Sequence, residues 1–473
     1  MNIQKKNTSC MLKNYLPVLY FIASLIVLAV LKYFHPLTPV YELLIVYFIT
    51  LAFPKFKIEI IGLASIFYFI FFMTDYQTFK YGTLVHTYAE KLEITEKLFS
   101  LILFLCIFWI LKRVILYLNQ SIKWNSSFLG ILTIPLVGAA TYEGLRLFDL
   151  PINHFLLPVL IAKSVWFFIL YLKYNEKNQS LKDQTLNLAH LLPPFFFQRY
   201  EARENYSLKN YQCKDTSESA QQAKIGFWFV LRGVVTIIGF EYSGQIYAQW
   251  LCKSIAIDSY GFPYFNDFFL NLNTLYLKLS WYQLWLVLIF SCVDFLFTSY
   301  YGYYSLFIGF CRLFGFKMNS PTNRPWKAQS FGDFCWRFMY FYSFILMNYF
   351  YIPFLNLFSK FKLNPPLRKN ICLFLTIAIG GFYFHFINDY FFAYDKGYLK
   401  TFIYYFKNYM PLFSLWAFVI VFNTSIKYRM KYQWISFPTY ILMYTLISTF
   451  RLLFKFNSLG DFLAMYAKMF NLH

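Results

Sequence analysis

From Tyr15 to Leu31 the chain carries no charged residue, and runs of this kind recur along its whole length. Apolar stretches that cross or nearly cross about 30 Å of hydrocarbon lie near residues 15–33, 38–53, 58–74, 97–118, 128–147 and 152–172. Further ones lie near 225–240, 279–297, 370–392, 402–423 and 434–450. In hydrocarbon every backbone polar group must find its partner inside its own segment, which leaves helices as the economical solution. The expected fold is therefore an all-α polytopic membrane protein with about eleven transmembrane helices plus re-entrant or interfacial pieces.

Composition agrees: 59% of the 473 residues are hydrophobic, 24% are aromatic and only 14% are charged, against about 25% charged in soluble domains. The formal charge of +21 is the Lys/Arg excess of cytoplasmic loops, so no nucleic-acid partner is expected, and membrane lipid is. The eight cysteines include no C-x-x-C pair, and neither a disulfide framework nor a metal site follows. Lys5, Lys6 and Lys13 ahead of the first run imitate a signal peptide, but no small-residue cleavage site follows, and an uncleaved first span is expected.

Charge sets the orientation. Pro54 to Lys57, Lys112-Arg113, Lys123 and the polar, basic stretch from Lys173 to Lys224 are expected on the cytoplasmic side, and Gln245 to Thr274 is expected to be an external loop. Within the basic stretch, Leu188 to Ala202 is apolar but too short to span and reads as interfacial or re-entrant. The tail from Ser458 to His473 reads as a short amphipathic helix. Three regions follow: residues 1–172, N-terminal transmembrane helices; 173–395, a core with cytoplasmic and re-entrant segments; and 396–473, C-terminal transmembrane helices.

The core breaks the apolar pattern. Arg312, Lys317, Arg324, Lys327 and Arg337 precede the aromatic run Phe338 to Phe358, and Lys360, Lys362, Arg368 and Lys369 follow it. Both flanks ask for the cytoplasmic side, which one straight crossing forbids, so the run is expected to be re-entrant or broken, with its backbone buried in protein or lining a cavity. Of the six histidines only His385 lies deep in a span, roughly 22 Å along a helix from Asn370. Asn388 and Asp389 share its face at i+3 and i+4, where an amide or carboxylate can fix the imidazole tautomer of a general base. The bland alternative is interhelical hydrogen bonding between His385 and Asp389. Arg337 and Asn348 read more readily as ties for a broken helix than as direct participants in chemistry.

The residues from Tyr301 to Pro353 resemble the central region of the membrane-bound O-acyltransferase family, in particular the bacterial branch with alginate O-acetylation proteins and the D-alanyl transferases of teichoic acid. Gly302, Tyr303, Ile308, Gly309, Arg312, Gly315 and Phe316 match the branch's first block. Asn323 and Pro325 approximate its second. Ser330, Asp333, Phe334, Arg337, Ser343, Tyr349, Tyr351, Ile352 and Pro353 match the third without a gap. Pro194, Arg199 and Tyr200 loosely match a segment upstream, and His385 stands where the branch has the histidine of G-L-W-H-G. The chain departs from the pattern at Met339, where the family has a histidine, at Cys335-Trp336, at Met347-Asn348, and around His385, which is flanked by phenylalanines.

The resemblance implies helices around a central tunnel in the bacterial inner membrane and an O-acyltransferase with no bound cofactor. An acyl group, acetyl among the candidates, would pass from a cytoplasmic acyl-CoA or acyl-carrier thioester to a hydroxyl of an envelope polysaccharide or lipid. A periplasmic esterase-like protein is the partner that polysaccharide acetylation implies. His385 is then the catalytic base, with Asn348, Asp389, Arg337 and Asn388 as supporting residues and Lys317, Arg324 and Lys327 against the donor's phosphates. The competing reading is a non-catalytic scaffold or acyl conduit, which Met339 favours; a transporter is disfavoured by the lack of an internal repeat.

Overall fold

The computed structural model describes residues 2–34, 40–71, 94–122, 211–259, 262, 265–320, 322–389, 398–426, 433–449 and 459–472, with isolated positions between 137 and 147. The described residues are helical, without strands, apart from one isolated antiparallel bridge between Gln212 and Phe316. Among the described residues, four helices form the N-terminal part: α1 (Asn2–Phe34), α2 (Val40–Ala52), α3 (Lys57–Phe71) and α4 (Ile94–Ile122). The expected spans near 128–147 and 152–172, the interfacial piece Leu188 to Ala202, and Pro194, Arg199 and Tyr200 lie outside the described residues, isolated positions apart.

Among the described residues three helices are long and apolar enough to cross a membrane: Tyr15–Tyr33 within α1, α5 (Thr216–Ser254), and the continuous helix Trp281–Leu313. Their outer faces explain the composition. On α1, Phe21, Leu25, Leu28 and Leu31 are buried, while Leu19, Ile22, Ile26 and Val30 stand exposed on the opposite side. On α5, Trp228, Val235, Tyr242, Ile246 and Trp250 are exposed in the same way. An apolar stripe of that length needs an apolar solvent, as membrane-embedded helices have.

The helix Trp281–Leu313 is built from α8 (Trp281–Leu296), a π-helical turn (Phe297–Tyr303) and α9 (Tyr304–Leu313). It packs antiparallel on α5 through four glycines at heptad spacing. Gly226 faces Gly309, and Gly233 faces Gly302 with Leu306. A Cβ at Gly226 would sit 2.7 Å from the Gly309 carbonyl oxygen, and one at Gly233 would sit 2.9 Å from the Gly302 oxygen. Small residues at such positions let backbones approach, which is how helices gain packing energy where lipid offers no hydrophobic drive.

The reading of Gln245 to Thr274 as a loop is corrected. α5 continues to Ser254, and α6 (Phe265–Leu270) and α7 (Leu272–Leu275) follow. Their residues Ala248, Leu251, Cys252, Phe268 and Leu272 form a core with Leu284 and Leu288 of α8. Phe462 and Met465 of the C-terminal helix α16 (Leu459–Met469) join that core, and α16 is the short helix expected in the tail.

Beyond α9 the backbone turns at Gly315, whose φ of +83° suits glycine. The turn is tied down on three sides. The Cys213 amide donates to the Gly315 carbonyl (2.9 Å), the Lys317 amide donates to Tyr211 O (2.7 Å), and Lys57 Nζ donates to Phe314 O (3.0 Å). The aromatic run lies in α10 (Phe331–Phe338), α11 (Tyr340–Leu346), a second π turn (Met347–Tyr351) and α12 (Ile352–Phe358), helical apart from an interruption at Met339. After it come α13 (Pro365–Asp389), α14 (Tyr398–Ile426) and α15 (Gln433–Thr449), at the positions of the last three expected spans.

Candidate functional site

Among the described residues two π turns interrupt the α geometry, at Phe297–Tyr303 and Met347–Tyr351, and π turns are frequent at functional sites. The helix breaks between α10 and α11 at Met339. Met339 N donates to Cys335 O (3.0 Å), and Ser343 N donates back to Met339 O (2.8 Å), so the chain restarts within one turn. The Met339 side chain is partly buried against a core formed by Phe338, Leu412, Trp416, Tyr440 and Tyr444, where a thioether packs well and carries no proton.

Arg337 holds the hinge before this break. Ser330 Oγ accepts from Asp333 N (3.1 Å), capping α10. Asp333 accepts from Arg337 Nε (2.8 Å) and from Gln329 N (3.0 Å). Arg337 Nη1 donates to Asn323 O (3.3 Å), and Asn323 N donates to Arg337 O (2.8 Å). The ungapped third block of the resemblance thus contains the side chains that fix the start of the broken helix, and Arg337 is one of them.

The donor-binding candidates differ in their surroundings. Lys317 pairs with Glu218 in the first turn of α5, whose other oxygen accepts from Lys214 N (2.8 Å). Arg324 and Lys327 are exposed on either side of Pro325, Arg324 with a left-handed φ of 48°. Arg312 donates to Gln222 Oε1 and Met318 O, tying α9 to α5 and to the hinge. Beside Lys317, burial, with Glu218 next, pushes the Cys213 thiol up to about 11.

Asn348 lies in the second π turn, half-buried, between buried Leu346 and Phe350. The elements around it pack on α13, the helix of His385. A Cβ at Gly380 would stand 2.6 Å from Leu346 Cδ2 and 3.0 Å from Phe350 Cδ2, and the Phe350 and Tyr383 rings are 5.9 Å apart. On the other side, a Cβ at Gly381 would stand 2.4 Å from Phe413 of α14. The Gly380-Gly381 pair therefore lets α13 sit closely between the broken helix and α14, one turn before His385. Asn388 and Asp389 close α13. The side chains of His385, Asn388 and Asp389 lie outside the described residues.

Sequence reasoning passed over a third set of polar residues. Arg232 is near the middle of α5, and its guanidinium donates to Ser305 Oγ of α9 from Nε (3.2 Å) and from Nη2 (2.6 Å). It also lies over the rings of Phe229 (4.5 Å) and Tyr301 (4.7 Å). Asp294 of α8 accepts from Thr298 (2.7 Å) just ahead of the first π turn. A charge inside the apolar stretch 225–240 was the signal that marks such a site. No protein-family model matches this chain, and no characterised protein matches it either.

Proposed function

We propose that this protein is a membrane-bound O-acyltransferase of the bacterial inner membrane, with about eleven crossings arranged around a tunnel. It takes an acyl group from a cytoplasmic acyl-CoA or acyl-carrier thioester and passes it to a hydroxyl of an envelope polysaccharide or lipid. The acceptor oxygen attacks the thioester carbonyl, the C–O bond forms as the C–S bond breaks, and the hydroxyl proton passes through His385 to the leaving thiolate. A positioned base of this kind contributes typically 10² to 10⁴-fold, on the order of magnitude known for general bases. Asn388 and Asp389, one turn on, orient the imidazole, and Asn348 is its polar partner in place of the family histidine that Met339 replaces. Arg324 and Lys327 remain as cations for the donor's phosphates, since Lys317 is engaged by Glu218.

The observation that carries the reading is the direct packing of the Asn348 segment on the His385 helix, through Leu346 and Phe350 against Gly380. It joins the two separate parts of the sequence resemblance. The test is transfer of labelled acyl groups from acyl-CoA to envelope fractions by purified protein in proteoliposomes, with thioester hydrolysis followed in parallel. Incorporation above empty vesicles is the expected result; neither incorporation nor hydrolysis with any acyl donor sinks the enzyme reading.

Met339 favours a second reading, a non-catalytic acyl conduit or scaffold for an esterase-like periplasmic transferase. Under it, the purified chain hydrolyses no thioester, yet its deletion still abolishes envelope acylation in cells.

A further inference from the structure

Arg232 is the observation that acyl transfer at His385 leaves unexplained. It lies 16 residues beyond the start of α5, about 24 Å along the helix, in an apolar stretch where ionisable groups are rare and usually functional. Ser305, fully buried, accepts from Nε and Nη2. A guanidinium has five N–H donors, so three remain: both on Nη1 and one on Nη2. Among the described residues none of these three has a protein acceptor, and no carboxylate pairs with or acts on Arg232.

Tyr301 adds a second, independent sign. Its ring lies under the guanidinium, and its buried hydroxyl faces the Thr322 side chain. Three guanidinium donors and one phenol hydroxyl thus lie together, in a wall of Phe229, Tyr301 and the close-packed α5–α9 seam. Arg232 is itself only half-buried, so an outside group can reach it. The same wall continues toward the broken helix, because Tyr301 packs on Phe338 with ring centres 5.8 Å apart.

We infer that Arg232, held by Ser305 and flanked by Tyr301, is a binding site for the anionic oxygen group, phosphate or carboxylate, of an amphiphile whose apolar chain lies along the aromatic wall. A guanidinium fork matches two oxygens of such a group, and the ligand supplies the counter-charge that the protein does not. Ser305 and Phe229 preset the fork, so little rotamer freedom is lost on binding. The proposal does not rest on acyl transfer and is tested by binding without turnover.

The experiment is native mass spectrometry of the purified full chain, with titrations of phosphatidylglycerol, phosphatidylcholine and inorganic phosphate. Retention of phosphatidylglycerol at least about tenfold over phosphatidylcholine, lost in Arg232→Gln and weakened in Tyr301→Phe, is the predicted result. Phosphate displacing the lipid would show that the oxygen group carries the recognition and the chain adds affinity; phosphate binding alone, with no preference between the lipids, would overturn the amphiphile assignment. Tyr301→Phe keeps the ring and removes only the hydroxyl, so it serves even if Arg232→Gln does not fold. Equal retention of both lipids by the wild-type protein, or phosphatidylglycerol retention unchanged in both variants, overturns the proposal.

Discussion

Placing a methyl group at Gly309 tests the helix seam on which the whole arrangement depends. The added Cβ would stand 2.7 Å from Val230 Cγ2, 2.9 Å from the Gly226 carbonyl oxygen and 3.0 Å from Val230 N. The valine methyl can rotate away, but the two backbone atoms cannot. Restoring ordinary van der Waals separation needs about 0.5 Å of movement between α5 and α9, and a gap of that size forfeits about a quarter or more of each dispersion well along the seam. Overpacking of this kind typically costs about 1–3 kcal/mol. The same movement stretches the bond from Arg232 to Ser305, now 2.6 Å. Thermal unfolding in detergent, followed by a thiol-reactive dye, should show Gly309→Ala with a clearly lower midpoint than wild type. Gly239→Ala is the control, since nothing lies within 4 Å of a Cβ there. Equal midpoints for the two variants would refute the close-packed seam.

Other expectations follow from the hinge and its surroundings. Ser330→Ala removes the cap of α10 and should cost about 1 kcal/mol, read as a lower unfolding midpoint; no change means that the Asp333 network does not depend on the cap. In a variant retaining Cys213 as its one cysteine, maleimide labelling should be slow at pH 7 and rise about tenfold per pH unit up to the thiol's value of about 11, because the thiolate is the nucleophile and its fraction grows with pH; a plateau below pH 9 contradicts this. Met339→His should fold and keep transfer at or above the wild-type rate in the acyl-transfer assay, since it restores a proton-carrying group at the helix break; loss of transfer by a well-folded variant counts against the resemblance at this position.

The lengths and order of the apolar helices were legible because hydropathy averages well over a span. Tyr15 to Leu31, the stretches near 402–423 and 434–450, and the tail helix all fall where the sequence puts them. The end of α5 was not legible for the same reason. From Gln245 to Ser254 it is amphipathic, with Gln249 and Lys253 exposed and Ala248, Leu251 and Cys252 buried, and an average over such a stretch looks like a loop. The conflict over the run from Phe338 to Phe358 was legible from charge, since basic residues flank both its ends; the helix itself is interrupted at Met339, where the run begins. Its break at Met339 and its π turn at Met347–Tyr351 depend on packing against α13 to α15, which a single sequence does not display. Of the site residues, Arg337 donates to Asp333 and to Asn323 O, the kind of tie the sequence suggested. Lys317 reads as a cation for a donor until Glu218, distant in sequence, is seen to pair with it. Arg232 was legible in principle, as an arginine inside an apolar run.

Acyl transfer through His385 is tested most directly by comparing wild type with His385→Ala, both reconstituted at equal density and supplied with labelled acyl-CoA and the envelope acceptor. Truncation of one side chain in a large helix bundle costs at most a few kcal/mol, about the range for buried residues, so both proteins should give the same monodisperse profile. The account predicts a fall in transfer of at least about a hundredfold in the variant. Full transfer by His385→Ala, with no other acyltransferase present, would contradict it.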